Sequence, residues 1–280
     1  MSEQDPHPSD AFPKAPAVAE WERLTPAERQ HVIDTLPNEV TDAELSPPEG
    51  DAHFLGKLGP YDALRTFFKR SGRAAYFACE LPVYYPGARR FAPDLLGVLD
   101  VEDRERGKWL VTAEGRGLDF VLEVHVGGDR KKDAERTVQL YSSLGIPDYF
   151  IYDRGRGQII GHRLAEDRKS YRRLVPQAGF YRSEALGLDL GLVDGRLRFF
   201  IGGALLPEAA ELIARLERLT AELEQKRDAE AERARAEAER AKAVEDRAAA
   251  ETGRADRAEK RLAELEAELA RRGPPGDKQS

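Results

Sequence analysis

The chain has 280 residues, 41% of them hydrophobic and 34% charged, a length that allows one domain of ordinary size with extensions rather than two full globular units. Its formal net charge of −7 provides no overall attraction for nucleic acid, so a nucleic-acid partner would need a local basic patch. The single cysteine, Cys79, excludes an intramolecular disulfide and a multi-cysteine zinc site, and its apolar neighbours predict a buried side chain.

The N-terminal region carries no targeting or membrane signal. It has no basic stretch followed by an apolar run, and no segment approaches the roughly 20 apolar residues of a membrane span, so we expect a soluble cytoplasmic protein with no membrane contact. Residues 1–20 are rich in Pro, Ser, Ala and Asp and are predicted to be disordered. A short helical lead-in is predicted over 21–45, because Thr25-Pro26-Ala27-Glu28 forms a capping box.

The middle of the chain alternates predicted strands and helices. The spacing of Leu64, Phe67 and Phe68 indicates a helix over 60–70, and 130–144 has helical spacing ending at Gly145. Strands are predicted at 74–79, 81–85, 94–99, 109–112, 120–126, 149–152 and 158–163. A strand, a helix of about 15 residues and a strand predict a crossover between parallel strands, so the domain is expected to be mixed α/β.

The C-terminal segment 207–272 consists almost wholly of Ala, Glu, Arg, Lys, Leu and Asp and predicts a long helix, followed by a disordered tail at 273–280. Leucines recur in 4-3-4 spacing at both ends of the segment, which is typical of a coiled coil. Alanine replaces them in its middle, so that part is either weakly paired or a single solvated helix. We expect a helical spacer or a dimerisation element.

Asp94 and Glu123 are acidic residues on two neighbouring predicted strands. Asp94 begins one strand, and Glu123 interrupts the apolar run 120–126, where an acid is costly unless it is paired or coordinated. Strand alternation allows the alternative that Glu123 faces solvent alongside Val121 and His125. Two carboxylates brought together by adjacent strands would bind Mg²⁺ with water and substrate phosphate as further ligands.

The order of these residues resembles the Uma2 family of the PD-(D/E)XK restriction-endonuclease-like superfamily. The matching residues are Pro93-Asp94, Glu123-Val124-His125, Tyr141 and the segment 144–153, which begins Leu-Gly-Ile-Pro-Asp-Tyr-Phe. The resemblance covers about 45–205, and we assign 46–206 to a Uma2-like nuclease domain. It implies a restriction-endonuclease-like mixed sheet flanked by helices, and Mg²⁺- or Mn²⁺-dependent hydrolysis of nucleic acid, DNA rather than RNA.

The same resemblance assigns roles to individual residues. Asp94 and Glu123 would be metal ligands, Glu80 at a strand end would add a third carboxylate, and His53, before the first domain helix, would orient a phosphate or assist proton transfer. The alternatives are a solvated strand end for Glu80 and an ordinary loop histidine for His53.

Two lysine positions of this family are filled differently. His125 replaces the lysine that follows the glutamate by two residues, and Thr137 stands where Uma2-like sequences often have a helical lysine. We expect His125 or Lys132 to assist catalysis, with Lys132 as a merely solvated side chain as the alternative.

Two functions follow from this sequence. The first is a divalent-metal-dependent endonuclease that acts on nucleic acid and forms a homodimer through the C-terminal coiled coil. The second is a catalytically inactive protein of the same fold, whose helix serves as a scaffold or dimerisation module and whose acidic pair is residual.

Overall fold

A computed structural model describes residues 13–40, 50–127 and 131–272, and for 131–134 and 272 it describes the backbone alone. The described residues divide into two compact units, one ending at Leu212 and one beginning at Ile213. No helix in these ranges combines the length and apolarity that crossing a membrane requires.

The secondary structure alternates between helices and strands up to Leu205 and then continues as one long helix. The helices are α1 (Val18–Arg23), α2 (Pro26–Thr35), α3 (Gly50–Ser71), α4 (Val111–Glu114), α5 (Lys131–Ser143) and α6 (Ala209–Arg272). The strands are β1 (Ala75–Ala78), β2 (Val83–Tyr84), β3 (Leu95–Leu99), β4 (Trp109–Leu110), β5 (Phe120–His125), β6 (Asp148–Asp153), β7 (Gln158–Leu164), β8 (Tyr171–Arg173), β9 (Tyr181–Ser183), β10 (Leu188–Val193), β11 (Arg196–Ile201) and β12 (Ala204–Leu205).

The central layer of the first unit is a six-stranded mixed sheet in the order β1-β3-β5-β6-β7-β8. Strands β5 and β6 are parallel and are joined through α5, as predicted, whereas the other pairs in this sheet are antiparallel. Strands β9 to β12 form an antiparallel four-stranded sheet, and β2 pairs with β4. The predicted mixed α/β architecture with a long C-terminal helix is therefore confirmed.

Both faces of the central sheet are buried. Leu122 and Val124 of β5 belong to a core formed with α3, β10 and β11, while Val121 belongs to a second core that includes Tyr141 of α5. Because successive side chains of a strand point to opposite faces, Glu123 lies on the face that α5 covers. The alternative that Glu123 faces open solvent is therefore wrong.

Several local predictions differ from the structure, and the strand predicted at 109–112 ends at Leu110, directly before α4. Helix α3 begins at Gly50 and contains Pro60, whereas the sequence predicted a start at Pro60, a residue more common in a first helical turn than in a helix interior. Cys79 is exposed rather than buried, and it lies outside the strand because β1 ends at Ala78. Helix α1 begins at Val18, inside the stretch expected to be disordered, of which residues 1–12 lie outside the described ranges.

The capping box before α2 is confirmed. The backbone N–H of Glu28 donates to the Thr25 hydroxyl at 3.3 Å, and the Glu28 carboxylate accepts the backbone N–H of Thr25 at 2.8 Å. These two bonds satisfy N–H groups that the start of a helix otherwise leaves unpaired.

Candidate metal centre

Helix α3 forms one wall of the site and carries two buried polar side chains. His53 and Lys57 are four residues apart, which places them on the same face of the helix, and they are 4% and 8% exposed. Gly56 permits the close approach of α3 to the sheet, because a Cβ at this position would lie 2.6 Å from Cγ1 of Val124. The helix that carries this imidazole and this ammonium is thereby held close to β5.

Asp94 lies directly before β3 and is 3% exposed. Continuing the antiparallel register of β3 and β5 by one pair places Asp94 opposite Glu123. The Asp94 carboxylate accepts the backbone N–H of Val124 at 2.7 Å and lies 3.1 Å from Nε2 of His53. These contacts replace the water that an ionised carboxylate otherwise requires.

Glu80 reaches the same site from the turn after β1. Its φ of 53° is uncommon for a residue other than glycine and directs the chain back towards α3. The Lys57 ammonium donates a hydrogen bond to the Glu80 carboxylate and also lies 4.0 Å from Oδ1 of Asp94. The Glu80 side chain is 40% exposed and therefore forms the outer edge of the site.

His53, Glu80 and Asp94 each offer one ligand atom, and these three atoms lie within 4.8 Å of one another. Throughout the described ranges, no other group of three His, Cys, Asp or Glu side chains meets this spacing. Two carboxylates and one imidazole fit Mg²⁺ or Mn²⁺, and the imidazole favours Mn²⁺. The Lys57 ammonium already interacts with both carboxylates, which shows that the site accommodates positive charge. We call these three residues the triad.

Glu123 lies beside the triad. The Tyr141 hydroxyl donates to its Oε1 at 2.7 Å, and the backbone N–H of Asp94 lies 3.5 Å from its Oε2. Burial and the neighbouring Asp94 charge raise the pKa of Glu123 well above its ordinary value. Burial acts in the same direction on Asp94, but hydrogen bonds from His53 and Val124 outweigh it and lower the pKa of Asp94. The two facing carboxyl groups therefore share a single negative charge more readily than two.

Comparison with known proteins identifies the family. The sequence model described as "Uma2: Putative restriction endonuclease" matches residues 38–193, more than half of the chain. The chain belongs to the Uma2 family. The resemblance noted from Pro93-Asp94 and Glu123-Val124-His125 is thus confirmed.

A solved structure that is similar to part of this chain is described as a putative nuclease belonging to DUF820 from Anabaena variabilis ATCC 29413. It is 12% identical, with a TM-score of 0.40, and the match covers 50% of this chain and 76% of the other. No curated protein matches the sequence.

The remaining predicted site residues of the Uma2 protein lie at different distances from the triad. His53 is part of α3 rather than of a loop before it, and its imidazole faces Asp94. His125 ends β5 on the same face as Glu123 and is half-buried. The side chain of Lys132 lies outside the described part of the structure, so its predicted role in catalysis stays a prediction.

Lys57 is the charged residue of the site that the sequence did not reveal. Lys57 follows His53 by four residues. In a helix this spacing places both side chains on the same face, so it would have indicated that Lys57 belongs to the site. Placing the start of the helix at Pro60 left Lys57 in a predicted loop, where this spacing carries no structural information. The start of α3 at Gly50 is what places Lys57 on a helix, one turn after His53.

A cleft of about 720 Å³ adjoins the triad and is lined in part by Lys57 and Glu80. Its other lining residues include Phe54, Leu58, Tyr61, Arg65 and Arg106. Phe54 is 58% exposed on the outer face of α3. The cleft therefore combines apolar surface with arginine side chains beside the carboxylates.

Proposed function

We propose that this Uma2 protein is a divalent-metal-dependent endonuclease that hydrolyses phosphodiester bonds of nucleic acid. The observation that carries the proposal is the meeting of His53, Glu80 and Asp94 within 4.8 Å beside an open cleft. The family description names a restriction endonuclease, and restriction acts on DNA, so we propose DNA rather than RNA as substrate. The ligand chemistry suits Mg²⁺ or Mn²⁺.

In this proposal each side chain of the site has a separate chemical role. Asp94 and Glu80 hold the cation with carboxylate oxygens, with Glu123 as a further carboxylate beside them, and His53 contributes its imidazole to the metal or keeps Asp94 in place. When bound, the cation supplies positive charge that polarises a phosphodiester and makes a nearby water more acidic. His125 and Lys132 are proposed to assist proton transfer or to stabilise charge on the phosphate.

The overall net charge of −7 is an average over the chain, and the cleft has its own charge distribution. Its lining includes the cations Lys57, Arg65, Arg104 and Arg106 and the acids Glu80, Asp103 and Glu105. Arg65 is exposed although it pairs with Asp103, and exposed Phe54 offers a surface against which a base can stack. We propose that a nucleic acid contacts Arg65 and Phe54 on this mixed surface.

We also propose that the Uma2 protein forms a homodimer through α6. The leucines at both ends of this helix are 45–70% exposed in the single chain, and their spacing is that of a coiled-coil seam. They are Leu216, Leu219 and Leu223 at the start and Leu262, Leu265 and Leu269 at the end. Pairing two copies along these leucines would remove apolar surface from water.

The second candidate function is an inactive nuclease fold that serves as a dimerising scaffold. The same exposed leucines of α6 favour it, and so does Lys57, whose ammonium already balances the acidic cluster. A cleavage assay separates this candidate from the endonuclease.

The proposed activity is tested with the full chain on supercoiled plasmid and on DNA and RNA oligonucleotides, with Mg²⁺, Mn²⁺ or a chelator. We expect cleavage that requires the metal and that falls at least a hundredfold in Asp94→Asn, because an amide is a poor ligand for these cations. Asp189→Asn, on the surface of β10, is the matched control and should cleave normally. No cleavage of any substrate by the wild type would instead favour the scaffold.

A further inference from the structure

Lys57 is paired with the carboxylates that a metal ion would use. Its ammonium donates to the Glu80 carboxylate and lies 4.0 Å from Oδ1 of Asp94, and the residue is 8% exposed. Lysine is rarely buried to this extent unless it is paired. Its two neighbours are both members of the triad, so Lys57 is placed by the same carboxylates that form the candidate metal site.

A divalent cation and this ammonium compete for the same carboxylates. Glu80 and Asp94 would hold Mg²⁺ or Mn²⁺ through the carboxylate groups whose negative charge the Lys57 ammonium now balances. The positive charges of the two groups also repel one another. Metal binding would therefore move Lys57 away from Glu80.

We propose that Lys57 is the resident cation of the triad, which a divalent metal displaces and which then binds the substrate phosphate. The displaced ammonium can move into the cleft beside the triad, because Lys57 is one of the residues that line it. In the metal-free protein the same ammonium stabilises Glu80 and Asp94. The competition rests on the metal site alone, whereas the phosphate contact rests on the proposed endonuclease function.

Lys57 provides the site with a lysine, although the two positions where the family resemblance leads us to expect a lysine hold other residues. His125 and Thr137 occupy those positions, and the side chain of Lys132 is outside the described structure. Lys57 reaches the carboxylates from α3, on the side of the sheet opposite to α5. It is a phosphate-binding residue in this proposal, and its flexible side chain allows the movement.

The competition is tested by titrating Mn²⁺ into the wild-type chain and into Lys57→Met, Lys57→Arg and Lys69→Met. Lys57→Met removes the competing charge and should bind Mn²⁺ at least tenfold more tightly, whereas Lys57→Arg should bind no more tightly than the wild type. Lys69→Met is the control, because Lys69 is exposed on the same helix. Equal or weaker Mn²⁺ binding by Lys57→Met overturns the proposal.

Cleavage tests the phosphate contact separately. Lys57→Met should lower kcat at least a hundredfold at saturating Mn²⁺ although it binds the metal more tightly, and Lys57→Arg should restore part of the activity. A variant that binds Mn²⁺ more tightly and cleaves as fast as the wild type contradicts the phosphate contact.

A second measurement uses the unaltered protein, so it does not depend on the folding of a variant. Reductive methylation followed by peptide mass spectrometry should label Lys57 at least ten times faster with Mn²⁺ than without it, while Lys69 is labelled equally fast in both. Slow labelling of Lys57 at saturating Mn²⁺ contradicts displacement.

The outcomes also separate this inference from the proposed function. Mn²⁺ binding by the wild type with unchanged affinity in Lys57→Met overturns the inference alone. Binding by Lys57→Met but not by the wild type supports Lys57 as the resident cation and overturns a metal-dependent activity of the natural sequence. Absence of binding by both overturns both proposals.

Discussion

At the residue scale, the charge of the site depends on which hydrogen bonds stabilise the ionised form of each buried carboxylate. Asp94 and Glu123 face each other at the paired ends of β3 and β5, yet their pKa values shift in opposite directions. Asp94 receives hydrogen bonds from His53 and Val124, whereas burial dominates at Glu123. The difference in partners makes Asp94 the more constant negative charge of the pair.

Asp153, at the end of β6 and outside the triad, is a second carboxylate on which burial and hydrogen bonds act in opposite directions. Burial raises its pKa, but hydrogen bonds from the backbone and guanidinium of Arg156 outweigh burial and hold the pKa below its ordinary value. The stability gained from ionised Asp153 is therefore present at neutral pH and is lost as the pH falls below about 3.9.

We predict that Asp153→Asn lowers the free energy of unfolding by about 1–3 kcal/mol at neutral pH, the usual range for hydrogen bonds to a charged group. The difference from the wild type should shrink as the pH falls below about 4. Urea unfolding of both proteins across this pH range measures it. A difference that stays constant down to the lowest pH would show that the charge of Asp153 is not its source.

Asp148 has a structural role although it lies within the segment 144–153 that carries the family resemblance. It is 1% exposed and accepts hydrogen bonds from Arg163 at 3.1 Å, from the Ser183 hydroxyl at 2.7 Å and from the backbone N–H of Ala185 at 3.0 Å. These bonds connect β6 and β7 of the central sheet to β9 and the turn that follows it.

Asp148→Ala should lower the free energy of unfolding by about 3–5 kcal/mol, because it leaves the buried guanidinium of Arg163 without its inner partner. Asp189→Ala removes a more exposed ion pair with Arg182 and should cost about 1 kcal/mol or less. Chemical denaturation compares the two variants. Equal losses would mean that burial of the Asp148 network contributes nothing specific.

At the element scale, the contact between α3 and β5 positions His53 and Lys57. Gly56→Ala should bring a methyl group to 2.6 Å from Cγ1 of Val124 and force the helix away from the sheet. Overpacking of this kind costs about 1–3 kcal/mol, against a gain in helix propensity of about 1 kcal/mol. We therefore predict a net loss of stability together with weaker Mn²⁺ binding.

Gly253→Ala in α6 is the matched control for this prediction. Its added Cβ would lie no closer than 3.8 Å to Arg257, so only the gain in helix propensity remains and the helical circular-dichroism signal should melt at a higher temperature. If Gly56→Ala stabilises the protein in the same way, α3 does not pack as closely as the structure shows.

Helices and strands whose two ends are marked by residues that stop them could be predicted from the sequence. Elements without such residues at their ends could not. The β5–α5–β6 unit was predicted because an apolar run, a helical pattern and Gly145 follow one another directly. The start of α3 was missed because Gly56, Gly59 and Pro60 all disfavour helix, and tertiary packing outweighs this preference. Asp94 and Glu123 were proposed from their strands together with the family resemblance, whereas the place of Lys57 beside them required the packed position of α3.

At the scale of the whole molecule, the first unit extends to Leu212 and includes the first turn of α6. Buried Arg198 of β11 is held by Glu211, with hydrogen bonds of 2.9 and 2.6 Å, and lies 3.5 Å from Glu208. Both acids follow position 206, where the sequence placed the end of the nuclease domain. They are therefore needed to compensate a charge inside it.

We predict that a chain ending at Leu212 retains the unfolding free energy of the first unit, whereas a chain ending at Leu206 loses about 3–5 kcal/mol because Arg198 stays buried without its acidic partners. Urea unfolding of both fragments tests this. Light scattering should give twice the chain mass for the full protein and a single chain mass for the fragment ending at Leu212. An unchanged oligomeric state would contradict dimerisation through α6.

The most direct test of the central claim is calorimetric titration of Mn²⁺ into the full chain, its Asp94→Asn variant and the Asp189→Asn control. We expect one Mn²⁺ per chain for the wild type and the control, and at least a hundredfold weaker binding for Asp94→Asn, because the triad loses a carboxylate. Circular dichroism of the variant should match that of the wild type. No binding by the wild type, or equal binding by Asp94→Asn, would contradict a metal centre at His53, Glu80 and Asp94.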